Sequence, residues 1–142
     1  MAVGTGGDVT VAICTRDRPE QLRRALASVA AQTAAPAEVL VIDNAPSTSA
    51  TRELLEKEFP SVRRVLEPRP GLDFARNRAL TEAATGVVAF LDDDVVVAPN
   101  WVEATAAVFA ESERVAICTG RVEALDLETE GARLFEANGG FA

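Results

Sequence analysis

Apolar residues recur along this chain in two alternating rhythms. Val9 to Cys14 (VTVAIC) is an unbroken, β-branched run and predicts a buried strand. Leu22, Ala25, Leu26 and Val29 then recur at helical spacing, after Asp17 and Glu20 in capping-box positions and Pro19 in a first turn. Glu38 to Asp43 (EVLVID) predicts a second strand. A helix carrying Leu54, Leu55 and Phe59 follows and ends at Pro60. Val62 to Glu67 predicts a third, shorter strand, nearer an edge because its middle is charged. PRPG breaks the chain before a helix over LDFARNRALTEAAT, with Gly86 as its stop. Val87 to Leu91 predicts a fourth strand. Asn100 and Glu103 repeat the capping-box pattern, ahead of a helix with Trp101, Thr105, Val108 and Phe109 on one face. Arg114 to Val122 predicts a fifth strand, and Met1 to Asp8 a flexible tail ahead of a single domain over residues 9–142.

Strand and helix alternating four times define an α/β fold: an open, mostly parallel, doubly wound sheet with helices on both faces. Ligands bind such sheets at the carboxyl ends of the strands. Gly4, Gly6 and Gly7 precede the first strand, so they are not a dinucleotide fingerprint, which follows one.

Composition narrows the chemistry. The 142 residues suffice for one domain with a core. The net charge of −8 and the scatter of the basic residues argue against nucleic acid as the main partner. With no histidine, a His-based triad and the usual zinc sites are excluded, and a metal would be held by oxygen, which favours Mg or Mn. Cys14 and Cys118 each lie in a strand-like segment and read as reduced, buried thiols of a cytoplasmic protein. No signal-peptide pattern opens the chain, and no apolar run approaches the roughly eighteen residues of a spanning helix, although peripheral membrane association stays open.

The residues after each strand carry the candidate sites. Asp92, Asp93 and Asp94 lie between two apolar runs. Two carboxylates about 5 Å apart repel by about 3 kcal/mol at an effective dielectric near 20, so three together call for a cation or hydrogen-bond donors. A divalent metal bridging to a diphosphate would answer that need; an acidic helix-capping turn is the plainer reading. Asp43-Asn44 suits either a base or ribose contact or a turn. Gly71 precedes a helix whose early turns bear Arg76, Asn77 and Arg78, suited to anions but equally to exposed helix charges. Thr15-Arg16-Asp17 is adequately explained as a helix cap. Together, the four ends suggest a nucleoside diphosphate with a divalent metal.

Four segments then resemble the family 2 glycosyltransferases: VTVAICTRDRPEQLRRALASVAAQT, EVLVIDNAPS, GLDFARNRAL and VVAFLDDDVVVAPNWVE, in that order from Val9 to at least Val122. The resemblance implies a GT-A type fold and metal-assisted transfer of a sugar from a nucleoside diphosphate, by default a UDP-sugar, to an unidentified acceptor, usually with inversion. It implies that Thr15 and Asp43 hold the base and that Arg76 lies near the base or diphosphate. Asp92 and Asp93 would face the ribose or metal, and Asp94 would be the main ligand of Mn2+ or Mg2+, with Asp92 the second metal candidate. Members of the family continue into an acceptor-binding half that supplies the general base. Here Glu123, Asp126, Glu128, Glu130 and Glu136 carry no motif, so the expectation is a truncated donor half with a free sheet edge that a second copy would cover.

Three rivals remain at this point. A nucleotide-binding module without chemistry would share every donor-site feature. A nucleotidyltransferase would commonly carry a glycine-rich basic loop after strand one, where this chain has TRDRPEQ. A phospho-acceptor receiver domain would need a lysine near a late strand, and Lys57 lies in a helix pattern.

Overall fold

Four parallel strands stand side by side in the order β3-β2-β1-β4. They are β1 (Val9–Thr15), β2 (Glu38–Asn44), β3 (Arg63–Glu67) and β4 (Val87–Asp92). The structure is a computed structural model and describes residues 8–140. The expected flexible tail, Met1 to Asp8, therefore lies outside the described residues except for Asp8, which is exposed.

The helices α1 (Pro19–Ala30), α2 (Ala50–Glu58), α3 (Leu72–Glu82) and α4 (Trp101–Glu111) alternate with the strands or follow the last one, and α5 (Glu130–Ala137) comes later. Alternate β1 residues serve the two faces. Val9, Val11 and Ile13 pack with Leu22, Leu26 and Val29 of α1, Leu54 and Leu55 of α2, and Val102 and Ala106 of α4. Ala12, with Leu40 and Ile42 of β2, packs against Ala75 and Ala79 of α3. Each fully buried leucine or isoleucine contributes roughly 1.5–3 kcal/mol, so the larger cluster dominates the stability. The small alanines let α3 lie close to β1 and β2.

Register fixes the site. Thr15 pairs with Asp43 across β1 and β2, and Cys14 with Asp92 across β1 and β4. The chain runs outward from β1 through β2 to β3, then crosses to the other side of β1 as β4. That reversal is the switch point at which open α/β sheets leave a crevice.

Several expectations are corrected. Arg114 to Val122 forms no strand, and Ile117 is 84 % exposed. A β-rich segment becomes a strand only when a ladder and a face receive it, and none of the described strands pairs with this one. Cys118 consequently is exposed, and Cys14 is only half-buried; both are free thiols. Neither capping box forms. Asp17 adopts φ 54° and accepts from the Ser47 amide and hydroxyl, while Glu20 pairs with Arg23. Asn100 makes no side-chain cap, and the Glu103 carboxylate accepts from Thr33 Oγ1 at 3.4 Å. The buried stripe of α4 is Val102 and Ala106, so Trp101, Thr105, Val108 and Phe109 flank it rather than form it. Helix α3 stops at Glu82, four residues before Gly86, because Glu38 captures the Ala84 amide at 3.1 Å and Arg63 bonds the Glu82 carbonyl. Among the described residues no helix is long and apolar enough to cross a membrane.

Candidate donor site at the switch point

The crevice between the carboxyl ends of β1 and β4 is a cavity of about 520 Å³. Its walls include Thr15, Arg18, Asn44, Gly71, Arg76 and the three aspartates Asp92 to Asp94. Cys14, Arg16, Leu72 and Ala75 complete the lining.

The three aspartates do different things. Asp93 is turned inward, with 8 % of its side chain exposed. It accepts from Thr15 Oγ1 at 2.7 Å and from Arg18 Nη1 at 3.3 Å. A buried carboxylate needs such donors, since an unpaired one costs several kcal/mol. Asp92 and Asp94 instead expose 67 % and 58 % of their side chains. Their cationic neighbours stand off, Arg76 at 3.7 Å from Asp92 and Arg18 at 3.8 Å from Asp94. Exposed pairs of this kind are worth about 0–1 kcal/mol, so Arg76 is available to an incoming anion, while Arg18 also serves the buried Asp93. The repulsion inferred from sequence is thus relieved by divergence: one carboxylate is buried and paired, and two face solvent.

The opposite wall is built by Asn44. Its amide nitrogen donates to the carbonyls of Glu67 at 3.2 Å and Arg69 at 2.7 Å, and its oxygen accepts from the Gly71 amide at 3.0 Å. One side chain thereby ties the end of β2 to the turn that launches α3. Gly71 adopts φ 138°, a conformation that side chains rarely tolerate, and a Cβ there would sit 3.3 Å from the Phe74 ring. Behind it, Arg69 bonds both oxygens of the buried Glu67 and lies over Phe74 at 4.5 Å. The Arg69 side chain and amide hold the Glu67 carboxyl down at about 2.

Of the residues expected to hold a donor, Thr15, Arg76, Asp92, Asp93 and Asp94 line one cavity. Asp43 does not line it. Asp43 is wholly buried, and its Oδ2 accepts from Arg64 Nε at 2.9 Å and Nη2 at 2.7 Å. Burial pushes its carboxyl up, Arg64 pulls it down, and Asp17 adds a smaller upward push. Sequence reading assigned no site role to Arg18 or Cys14 and offered Asn44 only together with Asp43; Asn44 closes β2 and Arg18 lies three residues past β1, and those strand ends are the signal that was available. The Cys14 thiol is pushed up to about 11, chiefly by burial and partly offset by Arg76.

A crevice lined by arginines at the switch point of a parallel sheet, with solvent-facing carboxylates beside it, is the ligand-binding place of an open doubly wound α/β domain. The comparisons place it more closely. The sequence model of Glycosyl transferase family 2 matches residues 10–137. This chain belongs to that family. It is 35 % identical over 98 residues to the succinoglycan biosynthesis protein ExoM of Rhizobium meliloti, covering 66 % of this chain and 32 % of ExoM. Among solved structures, S. aureus TarS superposes with TM-score 0.65 at 24 % identity, over 73 % of this chain and 20 % of that one. The mannosyltransferase PcManGT from Pyrobaculum calidifontis, in complex with GDP-Man and Mn2+, gives TM-score 0.58 at 26 % identity, over 70 % and 31 %. TarS 1–349 in complex with UDP-GlcNAc gives 0.60 at 26 % identity, over 73 % and 31 %. The fold is that of these GT-A relatives, and the chain spans about a third of the length of the curated relative it matches.

Proposed function

We propose that this chain is the donor-binding part of a glycosyltransferase that moves a sugar from a nucleoside diphosphate to an acceptor, with Mn2+ or Mg2+ as cofactor. The observation that carries the reading is the convergence of Arg18, Arg76, Asp92 and Asp94 on one cavity at the switch point. The two arginines suit phosphate oxygens: Asp92 holds Arg76 only at 3.7 Å, and Arg18, though bonded to Asp93 at 3.3 Å, keeps 55 % of its side chain exposed. The GDP-Man and UDP-GlcNAc bound by PcManGT and TarS support a nucleotide-sugar donor, with a UDP-sugar as the default.

The donor set fits a hard divalent cation. Asp92 and Asp94 offer solvent-facing carboxylate oxygens, and no histidine is present to favour zinc. No group of three or more acidic, cysteine or histidine side chains among the described residues is arranged to hold a metal. The remaining ligands would therefore come from the diphosphate and water. Asp94 is the main metal ligand in this reading, Asp92 the second, and Asp93 with Thr15 the buried support beneath them. A bound cation supplies charge neutralisation at the leaving diphosphate.

In the transfer step an acceptor oxygen bonds to the anomeric carbon as the bond to the diphosphate oxygen breaks. The electron pair leaves with the diphosphate, the acceptor proton passes to a base, and in-line attack inverts the centre. This chain's residues bind and orient the donor for that step. The acceptor is a saccharide, a lipid-linked molecule or another small molecule.

Donor binding without transfer is the second reading. It is favoured by the cavity lining, which holds no carboxylate besides Asp92, Asp93 and Asp94 to accept the acceptor's proton. Two free thiols agree with a reducing, cytoplasmic setting, with or without peripheral attachment to a membrane. A second copy against the outer edge of β4 is part of the proposal, and sedimentation at two concentrations tests it. The functional reading is tested by saturation-transfer NMR with UDP-GlcNAc and GDP-mannose in the presence of Mg2+. Transfer to base and ribose protons of either donor is expected; its absence for both, with the fold intact, overturns the reading.

A further inference from the structure

Three aspartates and three arginines line the crevice: Asp92, Asp93 and Asp94 against Arg16, Arg18 and Arg76. The lining is therefore balanced in charge without any ligand. A divalent cation alone would give it an excess of positive charge, and a diphosphate alone an excess of negative charge. Bound together, each answers the other.

Arg18 is the cation placed to enforce that pairing. Its Nη1 lies 3.3 Å from Asp93 Oδ1 and 3.8 Å from Asp94 Oδ2, so one nitrogen stands between the buried carboxylate and a solvent-facing one. The backbone on both sides of it is fixed. Asp17 is left-handed at φ 54° and is held by the Ser47 amide and hydroxyl, and Pro19 opens α1. Arg18 occupies the N-cap position of α1, but its side chain makes no cap and lines the crevice instead. Thr15 Oγ1 anchors Asp93 from the other side at 2.7 Å. Arg76 faces the exposed Asp92 at 3.7 Å, whereas Arg18 is tied to a buried carboxylate and is less free to turn aside. A magnesium ion ligated by Asp94 would sit about 2.0–2.1 Å from a carboxylate oxygen and meet the like charge of Arg18 beside it.

We propose that Arg18 is a positioning residue of the metal site: it holds a counter-charge beside Asp94 that keeps divalent-cation affinity low until a diphosphate enters the crevice, so that metal and nucleotide bind as a pair. The inference rests on the donor-site reading above. The negative charge of the diphosphate offsets that of Arg18, and the coupling is reciprocal: whatever factor the nucleotide adds to metal affinity, the metal adds to nucleotide affinity.

The test is Mn2+ binding to the chain, read by water-proton relaxation, without nucleotide and with saturating UDP or GDP, on the wild type, Arg18→Gln and Arg18→Lys. Glutamine can still donate to Asp93 but carries no charge, and lysine keeps the charge. Without nucleotide, Arg18→Gln is expected to bind Mn2+ about tenfold more tightly than the wild type. A charge about 4–6 Å away shifts a proton equilibrium by about one to three powers of ten, and an arginine that is 55 % exposed belongs at the low end. Arg18→Lys stays close to the wild type. With nucleotide bound, the advantage of Arg18→Gln shrinks to within about threefold. A role only in holding Asp93 predicts the opposite sign, because a loosened site binds metal less well. Unchanged or weaker nucleotide-free Mn2+ binding by Arg18→Gln therefore overturns the inference, and the donor-site reading survives that result if UDP or GDP still strengthens Mn2+ binding by the wild type. If Arg18→Gln fails to fold by circular dichroism, titration of the wild type with Mg2+, followed by the NMR signal of the Arg18 guanidinium, decides: a displaced signal supports the inference, and one unmoved at Mg2+ saturation overturns it. Absence of Mn2+ binding in every protein, with and without nucleotide, brings down the metal-site reading itself, and this inference with it.

Discussion

Replacing Asn44 by alanine should loosen the α3 wall of the cavity and lower the stability of the whole domain. The side chain makes three hydrogen bonds: to the Glu67 carbonyl at 3.2 Å, the Arg69 carbonyl at 2.7 Å, and from the Gly71 amide at 3.0 Å. Asn44 is 6 % exposed, so water is poorly placed to take over those groups. A net intramolecular hydrogen bond is worth about 0.5–1.5 kcal/mol, and groups left unpaired add to the loss. The sum is a destabilisation of about 2–4 kcal/mol. Urea unfolding followed by fluorescence of the single tryptophan, Trp101, reads it, because Trp101 is partly buried against the main core. The midpoint should fall with the slope unchanged, since the surface exposed on unfolding is nearly the same. Asn44→Asp keeps an acceptor for Gly71 but sets a carboxylate oxygen against two carbonyls, and it should be no better than alanine. A loss below about 0.5 kcal/mol for Asn44→Ala would refute the idea that this side chain fixes the turn.

Other consequences are equally open to measurement. The Glu67 carboxyl is held at about 2 against an ordinary 4.5, so its folded value is depressed; its contribution is present above pH 4.5 and lost as pH falls toward 2. Glu67→Gln should therefore flatten the acid limb of stability in that window, and an unchanged limb would contradict the assignment. Because the Cys14 thiol sits near 11, iodoacetamide at pH 8 should modify exposed Cys118 and spare Cys14, with Cys14 reacting as the pH rises toward 11. Equal labelling at pH 8, read by peptide mass mapping, would show the Cys14 environment to be wrong.

What was legible in the sequence was what local pattern decides. The runs at Val9, Glu38, Val62 and Val87 and the helical spacing of Leu22 to Val29 are set by burial on a two-sided sheet, and they reappear as β1 to β4 and α1. The crevice followed from topology alone, which is why Thr15, Arg76 and Asp92 to Asp94 fell on one cavity. What was not legible depends on residues far apart in the chain. Asp17 looked like a cap, but it is taken by Ser47 thirty residues on. Asp43 looked free at a strand end, but Arg64 reaches it across the sheet. Arg114 to Val122 has the composition of a strand and lacks a partner strand among the described residues, and composition says nothing about partners. Helix α5 buries none of its residues, so periodicity in its segment had no core to report.

The most direct test of the donor site is calorimetric titration of this chain with UDP and with GDP, each with and without Mn2+, repeated on Asp94→Ala. The account predicts binding of at least one nucleotide that strengthens with Mn2+ in the wild type and loses that strengthening in the variant. Absence of binding by either nucleotide under every condition, or a Mn2+ effect untouched by Asp94→Ala, would contradict it.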